Sequence, residues 1–342
     1  MSHVPHPGSR LQPGVRAREH GLAIRPSFGH RARTQLATVT LVASTLILGL
    51  AAIWQSTSVL EAAPRPPALI RAFASVPGEI DDERLFAATF DAAELPTGDK
   101  ETVFYRLTLP PGARLPFLVG PLSGCWGRLA KAGAGAELIQ SGAYTLRLEA
   151  PIRLQRHGAS DALIDVPAGT EITLGPGDTA IYPNYTAPGV IRNDGDEPVV
   201  VVGVAINSIE RSVDHIPMLP PAVDLKLLAS TPSAEWRSLP AGPVSVSVWR
   251  LALPAGASAG PYEATGLESL WIEKGQILHS LLRPGEAEPR GRPLFHPAGT
   301  GAPVMALAPG VRHVITSKDA QPAQILVLSV EPAGGWSQAL AR

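Results

Sequence analysis

Apolar positions fall into two regimes along this chain. Near the start, "LATVTLVASTLILGLAAIW" (Leu36–Trp54) runs for nineteen positions without a charge. Beyond residue 80, apolar residues come in short runs such as "VVVVGVAI" and "QILVLSV", or alternate with polar ones, and are broken repeatedly by glycine, proline, asparagine or aspartate. At a helical rise of ~1.5 Å, the first run spans roughly 28 Å, close to the ~30 Å of a bilayer's hydrocarbon core. It is predicted to be one N-terminal transmembrane helix, a signal anchor. The second regime predicts many short strands joined by tight turns, an all-β region.

The flanks orient the first segment. Residues 1–35 hold Arg10, Arg16, Arg18, Arg25, Arg31 and Arg33 against the single acid Glu19. Arginines beside a span stay on the cytoplasmic side, so the leader is expected inside and everything after Trp54 outside. A cleaved signal is the alternative, because "QSTSVLEAAP" offers small residues after the run; the remainder would then be secreted. Residues 55–80 read as a Pro/Ala linker. "DDERLFAATFDAAEL" (Asp81–Leu95) is compatible with a short helix or with a strand bearing a polar edge.

The strand-rich region is duplicated. "LTLPPGA" (Leu107–Ala113) returns as "LALPAGA" (Leu251–Ala257), and "NDGDEPVVVVGVAI" (Asn193–Ile206) as "SKDAQPAQILVLSV" (Ser317–Val330). Order is kept, which favours an internal repeat over chance likeness between turn-rich sequences. The expected organisation is one barrel over 81–212, a linker over 213–240 and a second barrel over 241–338.

In the second copy, Gly256, Tyr262, Ala264, Glu268 and Gly275 resemble the first cupin motif, G-x5-H-x-H-x3-4-E-x6-G, at every interval. Gly310 and His313 resemble its second motif, with Ser317 in place of the asparagine. In the first copy Gly177, Pro183 and Asn193 resemble that second motif. The region is therefore similar to a bicupin: all-β, two tandem double-stranded β-helix (jelly-roll) barrels behind one transmembrane helix. The resemblance implies a site inside each barrel, and metal-binding cupins use three histidines and a glutamate there. Here the first two histidine positions are Tyr262 and Ala264, leaving Glu268 and His313. An open catalytic site ordinarily needs three protein ligands, so no metal and no other cofactor is expected. In the first copy Leu118, Gly120, Gly135 and Pro188 or Gly189 fall at the ligand positions, with Glu137 two residues away from the glutamate's.

The remaining candidates narrow the chemistry. Charge is balanced, with 29 basic and 30 acidic residues, so no nucleic-acid partner is expected. A single cysteine, Cys125, excludes an internal disulfide and a Cys-cluster zinc site. It lies with Trp126 in an insertion over Gly120–Ala136, readable as a lid, a partner loop or a tolerated surface insertion. His279 sits on a strand whose facing is open from sequence, and His296 in a Pro/Gly-rich stretch. The expected ligand-binding set is Tyr262, Glu268 and His313, with Glu268 sharing the inward parity of Leu270 and Ile272 while Trp271 faces the other way. Three functions follow, the plainest of them a purely structural envelope protein. Another is a membrane-anchored extracytoplasmic bicupin without catalysis, binding a small polar ligand or an envelope partner. The third is a cupin-type oxidoreductase or isomerase using Glu268 and His313 as an acid–base pair. The sequence leaves the oligomeric state open.

Overall fold

The computed structural model describes residues 66–74, 81–116, 129–130, 133–159, 162–183, 187–208, 211–212, 222–231, 233–237, 239–283, 286, 292–299, 312–318 and 322–334. Leu36–Trp54, Cys125 and most of the Gly120–Ala136 insertion lie outside these. Among the described residues no helix is long and apolar enough to cross a membrane.

In the first half the strands are β1 (Asp81–Phe90), β2 (Lys100–Leu109), β3 (Arg114–Pro116), β4 (Leu129–Ala130), β5 (Gly133–Ser141), β6 (Tyr144–Leu148), β7 (Ile152–Gln155), β8 (Ile164–Val166), β9 (Glu171–Leu174), β10 (Thr179–Tyr182), β11 (Gly189–Arg192), β12 (Val199–Ser208) and β13 (Arg211–Ser212). The second half has β14 (Asp224–Thr231), β15 (Val244–Leu253), β16 (Ser258–Glu263), β17 (Leu267–Lys274), β18 (Gln276–Leu282), β19 (Leu294–Pro297), β20 (Arg312–Ser317) and β21 (Ala323–Pro332). Among the described residues two short helices accompany them, α1 (Ala68–Ala74) and α2 (Ser233–Trp236).

Among the described residues each half supplies two larger antiparallel sheets, and β13 pairs with β4 in a small fifth one. The first half has a sheet ordered β14-β2-β12-β5-β10-β7-β8 and another ordered β3-β11-β6-β9. The second half has β1-β15-β21-β17 and β16-β20-β18-β19. The repeat is visible in these orders: β2 and β12 are neighbours in one barrel as β15 and β21 are in the other.

The leading strand of each half belongs to the other half's sheet. Asp81–Phe90 is a strand, and β1 pairs along its length with β15. In return β14, inside the segment expected to be linker, pairs with β2. Strand pairing thus crosses the segments expected to begin the first barrel and to link the two. Alternation of side chains can say that a segment is a strand, but not which strand it meets.

Three apolar clusters follow from this arrangement. One fills the first barrel, around Val103, Leu107, Ile139, Leu146, Val199 and Val201. A second fills the other barrel, around Leu251, Leu270, Ile272, Ile277, Ile325 and Val327. The third joins residues of both large sheets, among them Phe104, Val202, Val204, Val246, Val248, Trp271 and Leu328. So β12 and β21 are buried on both faces, which is why their sequences run apolar without alternation. Arg106 of β2 reaches Glu273 of β17 at 2.5 Å beside this seam, and Arg250 reaches the same carboxylate at 3.2 Å.

The motif residues of the first copy build turns. Gly177 has φ of +83°, a left-handed conformation suited to glycine. Asn193 donates from Nδ2 to the carbonyls of Leu109 (3.0 Å) and Glu197 (2.8 Å), and accepts from the Gly195 N–H at 3.0 Å. The asparagine thus ties the end of β2 to the turn before β12.

Candidate functional site

The second barrel buries the three residues singled out from its motifs. Glu268 is 1% exposed, His313 0% and Tyr262 8%. Parity works as expected: Leu270 and Ile272 lie in the barrel's own core, while Trp271 lies in the cluster between the sheets. Tyr262 stands directly opposite His313 across β16 and β20, with ring centroids 5.7 Å apart. Its hydroxyl also lies near Glu268, whose carboxylate adds to burial in pushing the phenol's pKa up.

Glu268 has a partner that the sequence did not suggest. Its Oε1 accepts the Ala68 N–H of α1 at 2.9 Å, while Leu69 and Ile70 pack into the barrel's core cluster. Burial pushes the Glu268 carboxyl up to about 7, with Glu331 adding to it; the amides of Leu69 and Ala68 and the charge of Arg71 act the other way. His313 is pushed down to about 4 by burial. A charged Glu268–His313 pair is therefore not what the surroundings favour. Desolvation wins at both groups and favours their neutral forms.

Two further histidines complete this interior. His279 of β18 is 1% exposed and His296 of β19 is 7% exposed. His279 Nε2 and His313 Nδ1 are 2.8 Å apart, one donating to the other according to tautomer. The His279 and His296 ring centroids are 6.3 Å apart. Register explains the alignment: His313 is opposite Leu281 and His296 is opposite Ile277, each two residues from His279 and so on its face. Tyr262, His313, His279 and His296 thus form a diagonal band across all four strands of one sheet. The burial of His279, adjoined by His313 and His296, drives its pKa down to about 3, and burial also lowers that of His296. The signal for His279 was present in the sequence, since it shares parity with Ile277, but nothing local fixed which face of β18 is inside.

The fit to the metal site of the family is poor. Two of the four ligand positions are Tyr262 and Ala264, and Glu268 is engaged by α1. Among the described residues no three His, Cys, Asp or Glu side chains are arranged to hold a metal ion.

The first barrel holds a polar cluster of another kind. Glu137, 4% exposed, accepts from the Tyr105 hydroxyl at 2.5 Å and from those of Tyr144 and Tyr182 at 2.8 Å each. The Tyr144 and Tyr182 oxygens are also 3.0 Å apart. Burial first, and the Glu137 charge second, push both of these phenols well above their ordinary pKa. Tyr105, Gly203 and Glu137 lie in one cross-strand row, so the tyrosine ring must cross β12 to reach the carboxylate. A Cβ on residue 203 would come within 2.3 Å of that ring, which accounts for the glycine in the valine run. The matching row of the second barrel is Trp249, Val327 and Leu270. Between the two barrels the carboxylate has moved by one pleat on the same inward face.

No family model matches the chain and no curated protein matches it. The solved structures to which it is similar are cupin-fold proteins. They include the cupin 2 conserved barrel domain protein from Leptotrichia buccalis, at 10% identity over 79% of this chain and 100% of that one, TM-score 0.28. Coconut allergen cocosin gives 10% identity over 76% and 85%, TM-score 0.37. AerE from Microcystis aeruginosa gives 13% identity over 67% and 87%, TM-score 0.29. The chain's own sheets show an all-β protein with two barrels. Likeness at this level carries no argument about activity.

Proposed function

We propose that the chain is a non-catalytic binding bicupin in which the first barrel is scaffold and the second is the binding barrel, tethered to the cell membrane by Leu36–Trp54 with both barrels outside. One observation carries the division of labour. Glu268 Oε2, His279 Nδ1, His296 Nε2 and His313 Nε2 are buried without a hydrogen-bond partner among the described residues, whereas both Glu137 oxygens are satisfied by tyrosine hydroxyls. A buried polar atom left unpaired costs about 1–3 kcal/mol, so four such atoms within one barrel favour an occupant there. The first barrel's cluster is complete and calls for none. The membrane tether rests on the apolar run and the arginine leader alone.

A carboxyl near neutrality suits acid–base chemistry, the observation behind the enzyme reading. The α1 amide on Glu268 Oε1 and the absence of a His313 charge to pair with it favour binding instead. The test is to purify the full chain from its own host, unfold it and identify released small molecules and ions by mass spectrometry. Wild type is expected to release an occupant that Glu268→Gln and His313→Ala release in smaller amount. Equal release from all three, or none from wild type, removes the second barrel as a binding site.

A further inference from the structure

We propose that one end of the seam between the two barrels is a binding site for a multiply charged oxyanion of phosphate type, held by Arg106, Lys226, Arg250 and Lys274. The site is separate from the interior of the second barrel and independent of the binding reading above.

Strand geometry builds it. Phe104 of β2, Val248 of β15 and Trp271 of β17 lie in the apolar cluster between the two large sheets. Two positions on, each of these strands carries a charge: Arg106, Arg250 and Glu273. Residues two apart on a strand share a face, so the dry seam ends in a charged mouth. Lys226 joins it because β14 sets that lysine directly opposite Arg106. With Lys274 and Trp271 these residues line a cavity of about 370 Å³, within the ~300–1,000 Å³ range of small-molecule sites.

Charge identifies the ligand. Four cations line the cavity against one carboxylate, Glu273, and Glu83 reaches Arg250 from outside it at 3.0 Å. Four against two leaves an excess of two positive charges, in a chain whose formal net charge is −1. Like charges placed opposite each other destabilise a sheet, which is the relation of Lys226 to Arg106. Among the described residues neither Lys226 nor Lys274 has a carboxylate partner. The Lys226 ammonium instead stands 4.5 Å from the centroid of the Trp271 ring. Arg106 gives one Nη to Glu273, while its Nε is buried without a partner among the described residues. Guanidinium and ammonium groups are donors only, and together they suit phosphate. A neutral sugar leaves the excess charge unanswered, and a single carboxylate answers half of it.

The test titrates the full chain in neutral detergent with inorganic pyrophosphate, followed by calorimetry at low salt. Wild type is expected to bind one pyrophosphate, more weakly as salt is raised. Lys226→Gln and Lys274→Gln should each lower the affinity by about tenfold or more, the worth of one hydrogen bond to a charged group. Both lysines are exposed, and matching circular dichroism spectra check that the variants fold. Glu273→Gln, which removes the competing carboxylate, should bind more tightly. Lys318→Gln, at an exposed lysine set over Phe295 outside the cavity, should bind as wild type does. Displacement of pyrophosphate by short-chain phosphatidic acid in preference to glycerol phosphate would give a lipid headgroup as the source of the phosphate, and the reverse order a soluble ester. No binding by wild type overturns the proposal. So does an equal loss in all three lysine variants, which would mean attraction to overall charge. Binding untouched by Lys226→Gln and Lys274→Gln would place the anion on the arginines of the leader and overturn it as well.

Discussion

Replacing Glu268 by glutamine tests the account of the second barrel through its pH dependence. The folded carboxyl sits at about 7 against an ordinary 4.5. At about 1.36 kcal/mol per tenfold change, that gap corresponds to about 3 kcal/mol. Glu268 is 1% exposed, so no discount for solvent screening applies. The folded state holds this proton more tightly than the unfolded chain does. Its contribution is therefore fully present below about pH 4.5 and is lost as pH rises through about 7. Glutamine cannot ionise, yet its Oε1 can still accept the Ala68 N–H. The buried histidines run the opposite way: His279 at about 3 and His313 at about 4 lose stability as pH falls below their ordinary 6.5. Their part cancels when the variant is subtracted from wild type at each pH. Urea unfolding followed by tryptophan fluorescence should show a difference that is flat below about pH 4.5, grows by about 3 kcal/mol in favour of glutamine, and is flat again above about 7. A difference independent of pH would refute the buried carboxyl. One of opposite sign would mean that the α1 amides and Arg71 outweigh burial.

Two further outcomes can be checked directly. Gly203→Ala should displace the Tyr105 ring and cost about 1.5–3 kcal/mol, the worth of a hydrogen bond to a charged group. Tyr105→Phe should cost a similar amount, and the double variant less than the sum because both changes break one contact; urea unfolding of the three proteins measures this, and an unaffected Gly203→Ala would place the ring elsewhere. For the membrane tether, protease added to spheroplasts should digest the barrels and spare a small N-terminal fragment, whereas barrels protected until lysis would reverse the orientation and barrels freed without protease would mean a cleaved signal.

Much of this architecture could be read from the chain, and the limits have a physical pattern. The turn-and-strand punctuation, the repeated "LTLPPGA" and "LALPAGA" segments and the parity of Glu268 with Leu270 and Ile272 are local properties, and local properties survive without knowledge of partners. What escaped was the pairing. The exchange of β1 and β14, the seat of α1 on Glu268 and the diagonal band of His279, His296 and His313 depend on which strand lies beside which. The Glu137 cluster escaped for a related reason. Glu137 was weighed against the family's glutamate position, from which it is displaced by two residues, yet two residues along a strand return to the same face. Gly203, set in a valine run opposite Tyr105, was the nearest sequence clue to it.

The reciprocal placement of β1 and β14 bears on how the halves can be separated. A polypeptide cut between β13 and β14 would not give two self-contained modules. The piece carrying β15 would lack the strand that covers its edge, and the piece carrying β2 would lack its own. Each would expose a row of unpaired backbone amides and carbonyls to any other chain. The same trade could be made between two molecules, β1 of one copy closing the sheet of another, since every contact needed already exists within one chain. Modularity that is plain in the repeated sequence is thus absent from the folded object, which gains or loses both barrels together.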